Sequence, residues 1–317
     1  MADKDNKSSA RLVTVDSESA QRRLDNFLLS ELKGLPRSRI YSMIRKGEVR
    51  VNKGRTRAAY KLAEGDIVRI PPVSTSPVMT DNRSDHAKSD WLLRHILHED
   101  DSLLVLDKPS GLAVHGGSGI SLGAIELLRA SRPDCHYLEL VHRLDRDTSG
   151  CLLVAKKRSV LRRMHEIFRE GKVEKIYHAL LLGEWQGGDR EVDLPLVVTN
   201  RKNGERYVRP GNGGKSALTR FYPEEYLENS VLVRVELLTG RTHQIRAHAA
   251  AIGHPVAGDE RYGEGVGTPA GLKRLFLHAG SLKFIHPGTG KSVRYTSPLD
   301  PALRKLVTKL QRTDKSN

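Results

Sequence analysis

The sequence predicts an α+β protein in two parts, a small basic unit over residues 20–72 and a larger unit of strands and helices over 91–310. Three observations carry this. Residues 20–72 hold 13 Lys and Arg against 5 Asp and Glu, so a short stretch carries +8 of the chain's net +15. The segment VSTSPVMTDNRSDHAKSD, Val73–Asp90, mixes Ser, Thr, Asp, Asn and Pro with almost no periodicity and reads as a linker. Beyond it, apolar runs of strand length alternate with shorter helical stretches. Residues 1–19 and 311–317 are expected to be flexible tails.

In the small unit, RSRIYSMIRK (37–46) has helical spacing, with Ile40, Tyr41 and Ile44 on one side and Arg39, Arg45 and Lys46 on the other arc. Gly47 ends it. EVRVN and DIVRI alternate as short strands. In the large unit SLLVL (102–106), CLLVA (151–155), YHALLL (177–182) and VLVRVEL (231–237) read as strands. The last places Arg234 and Glu236 between Val233, Val235 and Leu237, so one of its faces is wetter. Arg158–Glu170 reads as a helix with Leu161, Met164 and Phe168 inward and Gly171 at its end. Thr199–Ser216 is turn-rich and basic, a surface excursion suited to contacting RNA.

Composition narrows the function. Hydrophobic residues make up 38%, enough for a packed core, and charged residues 29%. Fold stability does not require a net +15, which favours a polyanionic partner because Lys and Arg displace condensed counterions from phosphates. Cys135 and Cys151 lie far from CxxC spacing, against a zinc ribbon or a disulfide framework. The N-terminus has no apolar signal region, and no apolar run approaches the ~18 residues of a membrane span. A cytoplasmic protein is expected, with no membrane partner.

Two segments concentrate chemistry. HRLDRDTSG (142–150) runs directly into CLLVA, placing charged residues at the mouth of a strand. Arg143 and Arg146 flank Asp145, and cations that close favour an ionised carboxylate. Spacing alone does not choose between Asp145 and Asp147, and a tight turn satisfying only its own backbone has the same composition. LLTGRTHQIRAHAAAIGHPVAGD (237–259) reads as strand, turn, helix and stop, with Thr242 as a cap and Gly253 and Pro255 ending the helix. Arg246, on the second turn, can hold a carboxylate through two parallel N–H bonds, or stand in solvent beside His243 and His248. His243, His248 and His254 lack a carboxylate at metal-ligand spacing, so no metal site is expected.

These motifs resemble known families. RRLDNFL…GLPRSRIYSMIRKGEVRVN…KLAEGDIVRI resembles an S4 RNA-binding domain, which implies RNA contacts through Arg37, Arg39, Arg45 and Lys46. LDKPSGLAVHGG (106–117), VHRLDRDTSGCLLVAKK (141–157), EKIYHALL (174–181) and LLTGRTHQIRAHAAAIGHPVAGDERYG (237–263) closely resemble the pseudouridine synthases that modify large-subunit ribosomal RNA. The resemblance implies a mixed, mainly antiparallel sheet with flanking helices, acting as a monomer. It implies Asp145 as the catalytic aspartate and Arg143 as the arginine that replaces the extruded base in the RNA stack. It further implies Tyr177 packing on the target base, Arg246 as the basic partner of Asp145, and Leu238 as an apolar wall.

The reaction breaks C1′–N1, rotates the uracil and joins C1′ to C5. Atoms are conserved, so no redox or nucleotide cofactor is needed, and no G-x-x-x-x-G-K-[ST] motif is present. The uridine must leave the helix to be reached. Asp145 acts as nucleophile at the sugar or as a base on it, and the sequence leaves both open. A non-catalytic S4-type ribosome-assembly factor would need no carboxylate–arginine pair. A nucleoside hydrolase would need a second carboxylate to activate water, and only Asp147 is near. Within the family, a relative acting on other ribosomal uridines is the remaining alternative.

Overall fold

Each of the two units into which the chain divides, Met1–Arg83 and Ser84–Asn317, closes its own hydrophobic core. The computed structural model describes residues 10–17, 19–32, 35–73, 82–116, 122–135, 137–200, 206–263, 265, 269 and 271–314.

The first unit contains β1 (Arg11–Thr14), α1 (Leu24–Glu31), α2 (Arg37–Lys46), β2 (Arg50–Val51) and β3 (Ile67–Ile70). Its antiparallel sheet runs β1-β3-β2, with Arg11 opposite Ile70 and Arg50 opposite Arg69. Phe27 and Leu28 of α1 meet Ile40, Met43 and Ile44 of α2 over Val49, Leu62, Val68 and Ile70. The buried stripe of α2 therefore uses Met43 where the helical wheel suggested Tyr41. Tyr41 is 45% exposed and points its hydroxyl at the buried Asp25, donating to Oδ2 at 2.8 Å. Gly47 ends α2 at φ +72, in the left-handed conformation that glycine adopts without strain. The flexible tail expected over 1–19 is a strand from Arg11, because pairing with β3 satisfies its backbone and carries Val15 into the core. Residues 1–9 and 315–317 lie outside the described residues.

The second unit is built on α3 (Asn82–Leu93), β4 (Ile96–Glu99), β5 (Leu103–Lys108), α4 (Ala124–Ala130), β6 (Glu139–Leu140), β7 (Ser149–Ala155) and α5 (Arg158–Arg169). It continues through β8 (Glu174–Leu182), β9 (Arg190–Asp193), β10 (Leu196–Asn200), β11 (Arg206–Pro210), β12 (Leu218–Leu227) and β13 (Ser230–Leu237). It closes with α6 (Gln244–Ala251), β14 (Leu277–Ile285), β15 (Ser292–Thr296) and α7 (Pro301–Asp314). One ten-stranded sheet runs β4-β5-β7-β14-β8-β13-β12-β9, with β15 beside β14 and β6 beside β7. It is mixed and mainly antiparallel. Among the described residues, β7 with β14 is the parallel pair.

Both faces of this sheet are covered. Leu104, Leu106, Leu152, Val154, Val233 and Val235 pack with α4 and α6, while Leu103, Val105, Leu153 and Phe284 pack with Val160, Met164 and Ile167 of α5. The seven residues of β7 are all buried, which explains why CLLVA reads as an unbroken apolar run. Each fully buried leucine here stabilises the fold by roughly 1.5–3 kcal/mol. On α5 the wheel reading shifts by one step: Val160, Met164 and Ile167 are buried, and Leu161 and Phe168 flank them half-buried.

Three further expectations change. The linker expected over 73–90 is helical from Asn82; NRSDHAKSD has no apolar stripe, and the anchor is at the far end of α3, where Leu92 joins the core and Ser89 packs near Leu127. The basic excursion over 199–216 contains a β-hairpin, β10 with β11, from Leu196 opposite Pro210 to Asn200 opposite Arg206. The C-terminal tail expected from 311 remains helical to Asp314, since α7 buries Leu303, Leu306 and Val307 against β8 and β13 residues. Among the described residues no helix is long and apolar enough to cross a membrane.

Candidate active site

The loop 142–148 is fixed at both ends. Where it enters β7, Gly150 sits at φ +108 opposite Ala279, and a Cβ there would collide with the Ala279 carbonyl. Only glycine lets β7 and β14 approach in parallel at this point. On the other side Lys108, at the end of β5, is fully buried and donates to the carbonyls of Pro109, Leu112 and Arg146 at 2.9, 2.8 and 2.9 Å. Burial pulls its pKa down to about 7, against the opposing charges of Asp147 and Asp145. Ser110 Oγ donates to the Asp147 carbonyl at 2.7 Å, and the Gly111 N–H to that of Arg146 at 2.9 Å. His142 Nε2 accepts the Leu153 N–H at 3.1 Å, so its ring is neutral. Burial lowers its pKa to about 4.

The second half of the site comes from the turn before α6. His243 is the N-cap residue at φ +51, and Thr242 makes no cap. Gln244 organises the turn, accepting from Thr239 Oγ1 at 2.8 Å and the Arg241 N–H at 2.9 Å. The helix is buried almost all round, because its alanines admit close packing against β11 and β12. This removes the reading in which His243, Arg246 and His248 stand in solvent.

The fold brings Asp145 and Arg246 together across 101 positions. Arg246 Nη1 lies 3.4 Å from Asp145 Oδ2, a single contact longer than a strong charge-assisted bond. The fork is taken by Asp259: Arg246 Nε donates to Oδ2 at 2.7 Å and Nη2 to Oδ1 at 2.8 Å. Asp259 Oδ1 also accepts the N–H groups of Arg261 and Tyr262. Burial would lower the Arg246 pKa, but hydrogen bonds and charge from Asp259 outweigh it and hold it raised. Arg246 lies on the first turn of α6, one turn earlier than expected, and its guanidinium stands 5.1 Å over the Tyr262 ring.

Spacing left Asp145 and Asp147 open; the geometry separates them. Asp145 faces Arg246 and His243, whose Nε2 is 3.7 Å from Oδ2, while Asp147 pairs with Arg146 at 3.1 Å on the exposed side of the turn. A cleft lined by Arg143, Asp145, Thr148, Tyr177, Leu237 and Arg246 opens here. Tyr177, buried on β8, has its pKa raised by burial and by the charges of Asp145 and Cys151, so its hydroxyl keeps its proton. Arg143 is exposed at the rim. The apolar wall is Leu237 in place of Leu238. Leu237 continues the inward alternation of β13, and Leu238 is half-buried outside the cleft. Arg37, Arg39, Arg45 and Lys46 are exposed on α2 of the first unit.

Lys108, Asp259 and Tyr262 were given no role by sequence reasoning, and His243 was weighed only as a metal ligand or a solvent-exposed residue. Asp259 and Tyr262 stand in GDERYG, beyond the helix stop at Gly253 and Pro255, and only folding exposes the Asp259–Arg246 pairing. The histidines do not gather: His248 is held by Thr219 Oγ1 and the Leu194 carbonyl, and His254 by the Leu182 carbonyl. An arginine-backed carboxylate beside a buried aromatic ring, in a cleft floored by apolar residues, can act on a flat polar base attached to a sugar.

The family profile described as RNA pseudouridylate synthase matches residues 102–251, and that of the S4 domain matches 22–68. "Ribosomal large subunit pseudouridine synthase C" of Pasteurella multocida (strain Pm70) is 50% identical over 98% of this chain and 96% of its own length. The protein of that name from Escherichia coli (strain K12) is 51% identical over 96% of this chain and 97% of its own. Among solved structures, "Human RNA Pseudouridylate Synthase Domain Containing 1" is 29% identical with a TM-score of 0.55, covering 68% of this chain and 94% of that one. "Human RNA Pseudouridylate Synthase Domain Containing 4", 24% identical with a TM-score of 0.60 over 72% of this chain and 97% of that one, shares the fold.

Proposed function

The chain belongs to the RNA pseudouridylate synthase family, and from that premise we propose that it isomerises specific uridines of large-subunit ribosomal RNA to pseudouridine, with Asp145 as the catalytic carboxylate. One observation carries the assignment of chemistry to this chain's own residues: Asp145, Arg246 and Tyr177, distant in sequence, line one cleft. The relatives named for large-subunit ribosomal RNA are about half identical over nearly the whole chain, which supports the substrate class.

The residues divide the work. The target uridine leaves its helix and enters the cleft, and Arg143, exposed at the rim, fills the gap it leaves. Tyr177 supplies a flat apolar face for the uracil. Asp145 acts on the ribose, and Arg246 compensates its charge where water is scarce. Leu237 and Leu277 keep the cleft dry, because hydrolysis at C1′ would leave an abasic site. The unit matched by the S4 profile docks on RNA through Arg37, Arg39, Arg45 and Lys46, with 20–72 as the RNA-binding domain and 91–310 as the catalytic domain. We read the enzyme as a cytoplasmic monomer, and it needs no redox cofactor, since the isomerisation has no net oxidation or reduction and adds no atoms.

Mapping pseudouridines in ribosomal RNA from cells with and without the gene tests this directly. Loss of particular large-subunit pseudouridines, restored by the wild-type gene and not by Asp145→Asn, is the expected result. Unchanged maps would overturn it.

A further inference from the structure

A chain of polar groups reaches Asp145 from strand β11 through Tyr262 and His243. Its first link is the Val208 N–H of β11, which donates to the Tyr262 hydroxyl at 3.1 Å. The second is the 3.0 Å contact between the Tyr262 oxygen and His243 Nδ1. The third is His243 Nε2, 3.7 Å from Asp145 Oδ2.

The direction of each bond follows from counting protons. The phenol oxygen accepts from Val208, and its own proton finds an acceptor in His243 Nδ1. With that bond made, the neutral ring carries its proton on Nε2, the tautomer that satisfies all three groups. The backbone also marks this residue. His243 stands at φ +51, a conformation that side-chain-bearing residues seldom adopt, and it does so beside the cleft. Tyr262 is itself fixed, its ring stacked 4.8 Å from Tyr207 of the hairpin and lying beneath the Arg246 guanidinium.

We propose that His243 is a positioning residue for this reaction, held by the Tyr262 hydroxyl as the Nε2–H tautomer so that this N–H faces Asp145. The proposal rests on the reading of Asp145 as the reacting carboxylate. His243 Nε2 and Arg246 Nη1 both address Oδ2, which biases the rotation of the carboxylate and leaves Oδ1 toward the substrate. Burial, with Arg246 and Arg261 nearby, keeps the imidazole neutral against the pull of Asp145 and Asp259. The hairpin thereby sets the carboxylate's orientation through Tyr262, without touching it.

The test uses the full chain with 15N-labelled histidine, the His243→Gln variant to assign the His243 signals by difference among the thirteen histidines, and large-subunit ribosomal RNA transcript tritiated at uridine C5. At pH 7.5 the wild type should show His243 with an unprotonated Nδ1 and a protonated Nε2. Tyr262→Phe keeps the ring and its stacking and removes one hydroxyl. It should mix the tautomers and lower the single-turnover rate about 10-fold with RNA affinity unchanged. His243→Ala should lower the rate about 100-fold, and His243→Gln, which returns an N–H near the Nε2 position, should recover a large part of it. A protonated Nδ1 in the wild type, or wild-type rates in both Tyr262→Phe and His243→Ala, overturns the proposal. Wild-type protein that releases no tritium overturns the uridine reading itself. An active wild type with unaffected variants overturns only the role of His243.

Discussion

Arg246 gives both arms of its fork to Asp259, at 2.7 and 2.8 Å, and turns its third nitrogen to Asp145 at 3.4 Å. The two carboxylates thus receive different treatment from one guanidinium. Asp259, wholly buried, is locked as a structural anion, while Asp145 keeps a looser contact and 19% of its side chain exposed. The anchor permits the guanidinium to be buried and placed before any RNA arrives.

Asp259→Asn should therefore damage both stability and chemistry. The amide keeps an oxygen for the Arg261 and Tyr262 N–H groups but leaves Arg246 without its buried counter-ion. Breaking such a pair costs about 3–5 kcal/mol. Urea unfolding should show that loss, and single-turnover rates should fall more than tenfold as Arg246 swings toward Asp145. Wild-type stability in the variant would mean that Asp259 is not the anchor.

Asp145→Asn should separate the two roles. Its side chain meets Arg246 and His243 at 3.4 and 3.7 Å, both longer than a strong charge-assisted bond, and the isosteric amide keeps the shape, so the folded state should lose little stability. Isomerisation should vanish while thermal midpoint and RNA affinity stay within error. Turnover by a folded Asn variant would remove Asp145 from the chemistry.

Asp145 and Arg246 drew attention because each stands in a short motif at a strand mouth or a helix start, where composition departs from packing, whereas Tyr177, buried within β8, was named only through the family resemblance. Asp259 drew none, since an aspartate after Gly258 looks like an ordinary turn residue until the chain closes on Arg246. The wall residue shows the same boundary from the other side. The alternation Val233, Val235, Leu237 already placed Leu237 inward, and the family resemblance drew attention one residue too far. Strands β10 and β11 were hidden by RKNGE, whose turn-forming and basic residues outweighed the apolar LVVT and YV beside it. Helix α3 was hidden because its anchor, Leu92, lies past the polar stretch that was read as linker.

Acid should destabilise the second unit through its histidines. Burial lowers the pKa of His142 to about 4 and also lowers those of His243, His248 and His278. In the unfolded chain these rings titrate near 6.5, so below that pH the unfolded state binds protons that the folded state refuses. Stability is then full above about pH 6.5 and declines as pH falls toward 4, by at most about 1.4 kcal/mol per pH unit for each histidine. Urea midpoints measured from pH 7 to 4.5 should fall, and His142→Gln, which keeps an acceptor for the Leu153 N–H, should flatten the slope. An unchanged slope in that variant would show that His142 does not contribute.

Lys108→Met tests how the Asp145 loop is held. The substitution fits the buried stem but strips donors from the carbonyls of Pro109, Leu112 and Arg146. Leaving buried acceptors unpaired costs about 1–3 kcal/mol each, less where water enters, so a loss of about 3 kcal/mol is expected. Amide exchange should quicken over 109–112 and 143–148 before it does elsewhere, and kcat should fall with little change in KM. Equal exchange in the two proteins would place the loop's rigidity in β7 and Gly150 instead.

The last expectation concerns RNA affinity, where charge and chemistry can be pulled apart. Arg37, Arg39, Arg45 and Lys46 are exposed on α2. Arg39 shares its charge with Glu48 at 3.3 Å, so it should matter least of the four. Each cation that neutralises a phosphate adds about 0.7 to 0.9 to the slope of log affinity against log salt. Replacing Arg37, Arg45 and Lys46 with Gln should lower that slope by about 2 to 3 and weaken binding at moderate salt. Because exposed side chains are changed, the fold should keep its stability, and the cleft residues remain as they were. At saturating RNA and low salt the single-turnover rate should therefore match the wild type, with the whole defect appearing in affinity. A variant with the wild-type salt slope would show that α2 does not lie on the phosphates. A slower chemical step at saturation would mean instead that docking by the first unit helps to set the cleft.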